Sequence, residues 1–208
     1  MKYKHIIWDY NGTLLNDLIL CVDCMNILLK KYNINEISLE KYKQIFDFPV
    51  KDYYERAGFD FQKFDFNLVG VEFIDIYHSK ENELFLQNDV IEVLTHFRDI
   101  GVRQSILSAR EQNKLLHEVE HFGIKHFFDN ISGLDNHLAS GKIDNGKKLL
   151  EKIALKKNEV VLIGDTLHDF EVASELGIDC ILIADGHHSK EKLLQKTNLV
   201  LDKISDLI

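Results

Sequence analysis

The chain has 208 residues, 45% of them hydrophobic and 28% charged, with a formal net charge of −9 at pH 7, enough for one sizeable core with or without a smaller appended domain. That acidic balance argues against a nucleic-acid or anionic-membrane binder, whose footprint would be basic. No apolar run approaches the ~18 residues of a membrane span, and Asp9 interrupts any signal-peptide core, so a cytoplasmic protein is expected.

The first predicted element is a buried strand, His5 to Trp8, which runs straight into Asp9, Tyr10, Asn11 and Gly12. An acid, an amide and a glycine after an apolar run have the composition of a turn at a strand's C-terminal end. In open α/β sheets ligands bind beyond those ends, so Asp9 is placed to act as a nucleophile or a metal ligand. Taken alone, Asp9 and Asn11 can equally be residues that shape the turn. Asn16 or Asp17 can cap a helix in which Leu18, Cys21, Val22, Met25, Leu28, Leu29 and Tyr32 recur at helical spacing. Cys21 and Cys24 spell Cys-x-x-Cys inside this apolar pattern and lack two further zinc ligands, so they are assigned to packing. Three cysteines are too few and too odd in number for a disulfide framework.

Ser38 caps a short predicted helix from Leu39 to about Ile45, and Phe46-Asp47-Phe48-Pro49 forms a corner. Pro49 suits the first turn of a third helix that Gly58 ends. A fourth helix is expected from Phe64 to about Ser79, carrying Leu68, Val71, Phe73, Ile74 and Tyr77. From residue 85 helix and strand alternate. A helix through Val90, Leu94, Phe97 and Ile100 precedes a strand from Val102 to Leu107. A helix through Leu115, Leu116, Val119 and Phe122 precedes a short strand from Phe127 to Ile131. A helix from about Asp144 to Ala154 leads to the strongest strand, Val160 to Ile163. A helix through Phe170, Val172, Ala173 and Leu176, stopped by Gly177, leads to a strand from Cys180 to Ala184, and Leu199 to Leu201 reads as a short edge strand. Such alternation implies a parallel sheet with helices on both faces. The fold class is therefore α/β, one domain formed by residues 1–15 and 85–208, with an all-helical domain inserted over 16–84.

Asp165 and Asp169, spaced Gly-Asp-x-x-x-Asp after the strongest strand, either cap the next helix or join Asp9 in an oxygen-rich site suited to Mg²⁺. Ser108 ends a predicted strand, and Lys142 follows Ala139-Ser140-Gly141.

Together these stretches, Asp9-Tyr-Asn11-Gly-Thr-Leu14, Ser105-Ile-Leu-Ser108, Gly141-Lys142 and Gly164-Asp165-x-x-x-Asp169, resemble in order the motifs of the haloacid dehalogenase superfamily of phosphohydrolases, in the phosphoglycolate-phosphatase-like branch with a helical cap. The resemblance covers essentially the whole length. It implies a Rossmann-like core with the first strand central, and a helical cap inserted after the first motif, with hinges near Leu15-Asn16 and Phe85-Gln87. It further implies a phosphatase in which Asp9 forms an aspartyl-phosphate. Mg²⁺ would be held by Asp9, the carbonyl of Asn11, and Asp165, with Asp169 orienting a water ligand. Ser108, the backbone of Ala109, Asn11 and Lys142 would bind phosphate, Asp9, Ser108 and Lys142 forming the catalytic set. Arg110 and Lys147 are the other cations that could take the lysine's place. The superfamily's usual Asp, a proton donor two residues after the nucleophile, is Asn11 here, which has no proton to exchange. A phosphometabolite-binding protein with little turnover, or a phosphonate-cleaving relative, is the alternative this leaves open. The expected partner is a small phosphorylated metabolite rather than nucleic acid or membrane, bound by a monomer or homodimer. Substrate choice is expected in the cap, at Phe46, Phe48, Lys51, Tyr54 and Arg56. His187 and His188 are read as a loop before a helix capped by Ser189.

Overall fold

In a computed structural model, residues 2–134 and 141–208 are described. Strand β1, His5–Trp8, is followed by a two-residue strand β2, Leu15–Asn16. Four helices come next: α1, Leu18–Lys31, α2, Leu39–Ile45, α3, Val50–Ala57, and α4, Phe66–Ser79. The chain returns through β3, Phe85–Leu86, which pairs antiparallel with β2. The two segments expected to act as hinges thus lie side by side as a small ribbon beneath the helices.

The rest alternates: α5, Val90–Asp99, β4, Arg103–Glu111, α6, Gln112–His121, β5, Asn130–Leu134, α7, Gly141–Ile153, β6, Val160–Gly164, α8, Leu167–Leu176, β7, Asp179–Ile183, α9, Lys190–Leu193, and β8, Val200–Leu201. The main sheet has the order β5-β4-β1-β6-β7-β8, and every pair is parallel. This is the α/β, Rossmann-like parallel-sheet core with helices on both faces and an inserted helical cap. Among the described residues no helix is long and apolar enough to cross a membrane.

A strand covered on both faces must be apolar on both, which is why β6 reads as an unbroken run. Val161 and Ile163 pack with Ile6, Trp8 and Ile106 on one face, together with α5, α6 and the cap helices. Val160 and Leu162 pack with Ile7 and Leu107 on the other, against Leu149 and Ile153 of α7 and Val172, Ala173 and Leu176 of α8. The buried Trp8 and Gln104 side chains are paired: Trp8 Nε1 donates to Gln104 Oε1 at 3.0 Å, and Gln104 Nε2 donates to the Leu94 carbonyl at 2.9 Å.

Several elements differ from the periodicity reading. β5 begins at Asn130 because Lys125–Phe127 form a 3-10 turn that buries Phe127. On α4 the inward face is Val69 and Tyr77, while Leu68 and Val71 are more than half exposed, since α4 rests on α1 along a single narrow face. β4 runs past Ser108 to Glu111, with its register against β5 shifting between Leu107 and Glu111.

Candidate active site

The chain winds outward from β1 to β4 and β5, then returns to β6 on β1's other side. The switch point between β1 and β6 is where open parallel sheets leave a crevice. Asp9 and Asp165 follow those two strands directly. The Asp9 amide donates to the Ile163 carbonyl at 2.8 Å, continuing the ladder, so its side chain is aimed by the sheet itself. Beyond it the chain turns back, with Leu14 and Leu15 donating to the Tyr10 carbonyl at 2.9 and 2.8 Å. Gly12 takes φ +77°, and a side chain on it would collide with the Asp165 carboxylate. Gly186 is held just as closely against the same carboxylate.

Asp9, Asp165 and Asp169 are buried, with one carboxylate oxygen of each lying within 4.8 Å of the others. Lys142, from the first turn of α7, is buried among them and donates to Asp9 Oδ1 at 2.5 Å and Asp169 Oδ1 at 2.7 Å. Its preceding Ala139 and Ser140 lie outside the described residues. Burial works against the Lys142 charge, but the Asp169 and Asp9 carboxylates outweigh it and hold the ammonium above its ordinary pKa. Burial pushes Asp9 up to about 8 despite Lys142, and Asp165 up to about 6. For Asp169 the ammonium and the Thr166 hydroxyl overcome burial and keep the carboxyl below its usual range. Thr166 also caps α8, its amide and hydroxyl donating to Asp169 Oδ2 at 3.0 and 2.7 Å. Asp165 accepts from the Thr13 hydroxyl at 3.0 Å and the His187 amide at 2.7 Å. One ammonium against three buried carboxylates leaves negative charge uncompensated, and an all-oxygen donor set of this kind suits a hard divalent cation.

Ser108 is buried where the β4 register shifts, and its Oγ accepts from the Arg110 amide at 3.0 Å, leaving the hydroxyl proton free to be donated. Asp9, Asn11, Ser108, Ala109, Lys142 and Asp169 form the base of a cavity of about 260 Å³. Phe46, Phe48 and Tyr54 line its cap side, together with Tyr53. Lys51 and Arg56 are not in the lining: the Lys51 ammonium sits over the Phe61 ring, and Arg56 donates to the Ile45 carbonyl at 3.4 Å. Of the alternative cations, Lys147 is exposed. Arg110 reaches the cavity but pairs with Glu118 and, at 3.0 Å, with Glu81.

Asp17 and His187 also line the cavity, and their roles were not foreseen. Asp17 stands at the helix-cap position before α1 without capping it. Its carboxylate turns inward, accepting from the Gly12 amide at 3.0 Å, Asn11 Nδ2 at 2.8 Å and the Tyr77 hydroxyl at 3.1 Å. His187 Nε2 lies 3.1 Å from Asp17 Oδ1, and Nδ1 lies 3.0 Å from the Tyr42 hydroxyl. Burial disfavours a charged His187, but Asp17 outweighs it and lifts the imidazole to about 9. In return His187 overcomes burial and holds Asp17 below the usual carboxylate range. The sequence signal for this pair was only an acid eight residues past Asp9 and a histidine after Gly186. Nothing local distinguishes such residues from a helix cap and a loop.

The sequence pattern of the haloacid dehalogenase-like hydrolases matches residues 6–183. Pyrophosphatase PpaX of Bacillus mycoides is 23% identical over 216 aligned positions, spanning 100% of this chain and 96% of its own. Among solved structures, a haloacid dehalogenase-like hydrolase from Streptococcus pneumoniae superposes with TM-score 0.78 at 20% identity, over 99% of this chain and 97% of the other. A predicted phosphoglycolate phosphatase from Haemophilus somnus superposes with TM-score 0.77 at 19% identity, over 100% and 97%. At these identities the structures speak for the fold alone. The chain belongs to the haloacid dehalogenase-like hydrolases.

Proposed function

We propose that the chain is a Mg²⁺-dependent phosphatase of small phosphomonoesters, with Asp9 as nucleophile. The observation that carries this is the buried Asp9 carboxylate at the base of a cavity, held by Lys142 beside Asp165 and Asp169. An oxygen of Asp9 would attack phosphorus while the bond to the leaving oxygen breaks and its electron pair departs with it. Water then attacks the aspartyl-phosphate, releasing inorganic phosphate and restoring Asp9. Lys142 and the Ser108 hydroxyl, with the backbone of Ala109, would hold the phosphoryl oxygens, keeping the group in line with Asp9. Asp9, Asp165 and the carbonyl of Asn11 would hold Mg²⁺, with Asp169 beside them. The ion, when bound, supplies charge neutralisation and Lewis acidity.

The Asn11 side chain donates to Asp17 and has no proton to exchange with a leaving group. Esters whose leaving oxygen departs without protonation are therefore favoured. We read residues 16–84 as a cap domain over a core of 1–15 and 85–208, acting on small phosphorylated metabolites in the cytoplasm, where the three free cysteines would stay reduced. Phosphoglycolate and pyrophosphate, for which relatives are named, belong in the first assay panel.

Mg²⁺-dependent release of phosphate from aryl, acyl and alkyl esters tests this reading. Asp9→Asn should lower turnover of every substrate by at least 10³-fold, consistent with loss of a nucleophile. Retention of turnover in that variant would remove Asp9 from the chemistry.

A further inference from the structure

The cavity above Asp9 changes character between its base and its walls. The base is polar, as a phosphoryl group requires. The walls on the cap side are rings, Phe46, Phe48, Tyr53, Tyr54, Phe73 and Tyr77. They pack on one another edge to face, tilted or, for Phe73 and Tyr77, stacked, with Phe46 5.2 Å from Tyr53 and Tyr53 5.4 Å from Tyr54 between ring centroids. Phe48 lies over His168 of the core at 4.7 Å, so the ring-lined wall closes down onto the first turn of α8, which carries Asp169.

Every cation that faces this space from the described residues is already committed. Lys142 is held by Asp9 and Asp169, His187 by Asp17, and Arg110 by Glu81 and Glu118, with its guanidinium 5.0 Å above the Tyr77 ring. A carboxylate or a second phosphate on the organic part of a substrate would enter an apolar space and find no free positive charge, which is costly. An aromatic ring would instead exchange water for ring edges and faces. A cavity of about 260 Å³ lies just under the ~300–1,000 Å³ usual for drug-sized ligands, and the phosphoryl group takes part of it. One ring fits that remainder better than two. Three buried polar atoms of residues lining it have no hydrogen-bond partner among the described residues, the Tyr53 hydroxyl, His168 Nε2 and Arg110 Nε, the last on a guanidinium whose charge Glu81 and Glu118 already balance.

Building on the phosphatase reading, we propose that the substrate is the phosphate monoester of a single-ring, uncharged aromatic compound. The ring packs among Phe46, Phe48 and Phe73, and a neutral hydroxyl or carbonyl substituent can pair with Tyr53 or His168. The phosphoryl group rests at Asp9. Anionic organic parts are disfavoured by the same lack of free charge, among the described residues, that admits the ring.

The test compares kcat/KM in Mg²⁺ for phenyl phosphate, acetyl phosphate and phosphoglycolate, alongside calorimetric binding of phenylphosphonate and methylphosphonate. Acetyl phosphate has the better leaving group but no ring, and the phosphonates report recognition without turnover. Phenyl phosphate should exceed both other substrates by at least tenfold, and phenylphosphonate should bind at least tenfold more tightly than methylphosphonate. Phe48→Ala or Phe73→Ala should cut the phenyl-to-acetyl ratio about tenfold. Asp9-dependent hydrolysis in which acetyl phosphate or phosphoglycolate equals phenyl phosphate would overturn the ring-bearing substrate and leave the phosphatase intact. Tight, ring-selective phosphonate binding with no hydrolysis of any ester would do the reverse. Neither hydrolysis nor ring preference would overturn both.

Discussion

The Asp17–His187 pair shows how a single contact couples the cap to the site. Asp17 lies at the start of the first cap helix, His187 in the core loop after β7, and the carboxylate between them also holds the Asn11 amide. Breaking a buried ion pair by removing one partner strands the other, at a cost of about 3–5 kcal/mol. His187→Ala should destabilise the metal-free protein by that order at pH 6, read by urea denaturation. Because the folded imidazole titrates near 9, above its ordinary value of 6.5, the pair's contribution is complete below about pH 6.5 and is lost as pH rises through 9. The gap between variant and wild type should therefore narrow above pH 9; a gap independent of pH would mean packing alone. Gly186 is a second residue whose identity follows from a neighbour, since any side chain there meets the Asp165 carboxylate. Gly186→Ala should displace Asp165 and weaken Mg²⁺ binding at least tenfold by calorimetry while the far-ultraviolet spectrum stays native. Asp9, Ser108, Lys142, Asp165 and Asp169 were all legible as candidates because each lies at the end of an apolar strand run or opens a helix in a recognisable string. Asp17 and His187 were not, because their partnership spans 170 residues of chain.

At the scale of elements, two neighbouring strand ends and two helix starts converge on one small volume. β1 delivers Asp9, β6 delivers Asp165, the first turn of α8 holds Asp169, and the first turn of α7 supplies Lys142. Burial raises Asp9 to about 8 and Asp165 to about 6, both above the carboxyl's ordinary 3.8. Without metal, these two groups favour the fold in their protonated forms, and that contribution is lost as pH rises from about 4 through 8. A divalent cation must displace those protons, so its binding gains as they leave. Mg²⁺ should accordingly raise Tm more at pH 8 than at pH 5.5. An equal or smaller rise at pH 8 would show that the carboxylates do not form the metal site. The edges of elements were the least legible part of the chain: β5 starts three residues later than its apolar run, since Phe127 is buried by a turn rather than a strand. β4 also outlasts its apolar stretch, because pairing with β5 resumes beyond the register shift.

Across the whole molecule, the cap meets the core through the corner at Phe46 and Asp47. The Phe46 carbonyl accepts from Lys192 Nζ at 2.5 Å and lies 2.9 Å from His188 Nε2, and Lys192 pairs with Asp47 at 3.1 Å. The chain crosses between cap and core through the β2–β3 ribbon, and this corner ties the two together at a second place. Lys192→Ala should speed hydrogen exchange of amides in α2 and α3 severalfold while core amides of β1 and β6 keep their rates, because local opening draws on fewer contacts than global unfolding. Uniform acceleration across both would mean that the corner supports the entire fold.

By itself the sequence determined the alternating α/β class, the helical insertion, the order of the strands' site residues and the absence of an acid at position 11. These are local properties: hydrophobic period, capping residues, glycine turns and short strings of reactive side chains. Tertiary structure alone decided which carboxylates share Lys142, that Asp17 abandons its helix cap for His187, and that the cap turns rings rather than charges toward Asp9. Each of those outcomes depends on the competition between desolvation and a partner brought from a distant part of the chain, and no local pattern encodes which partner arrives.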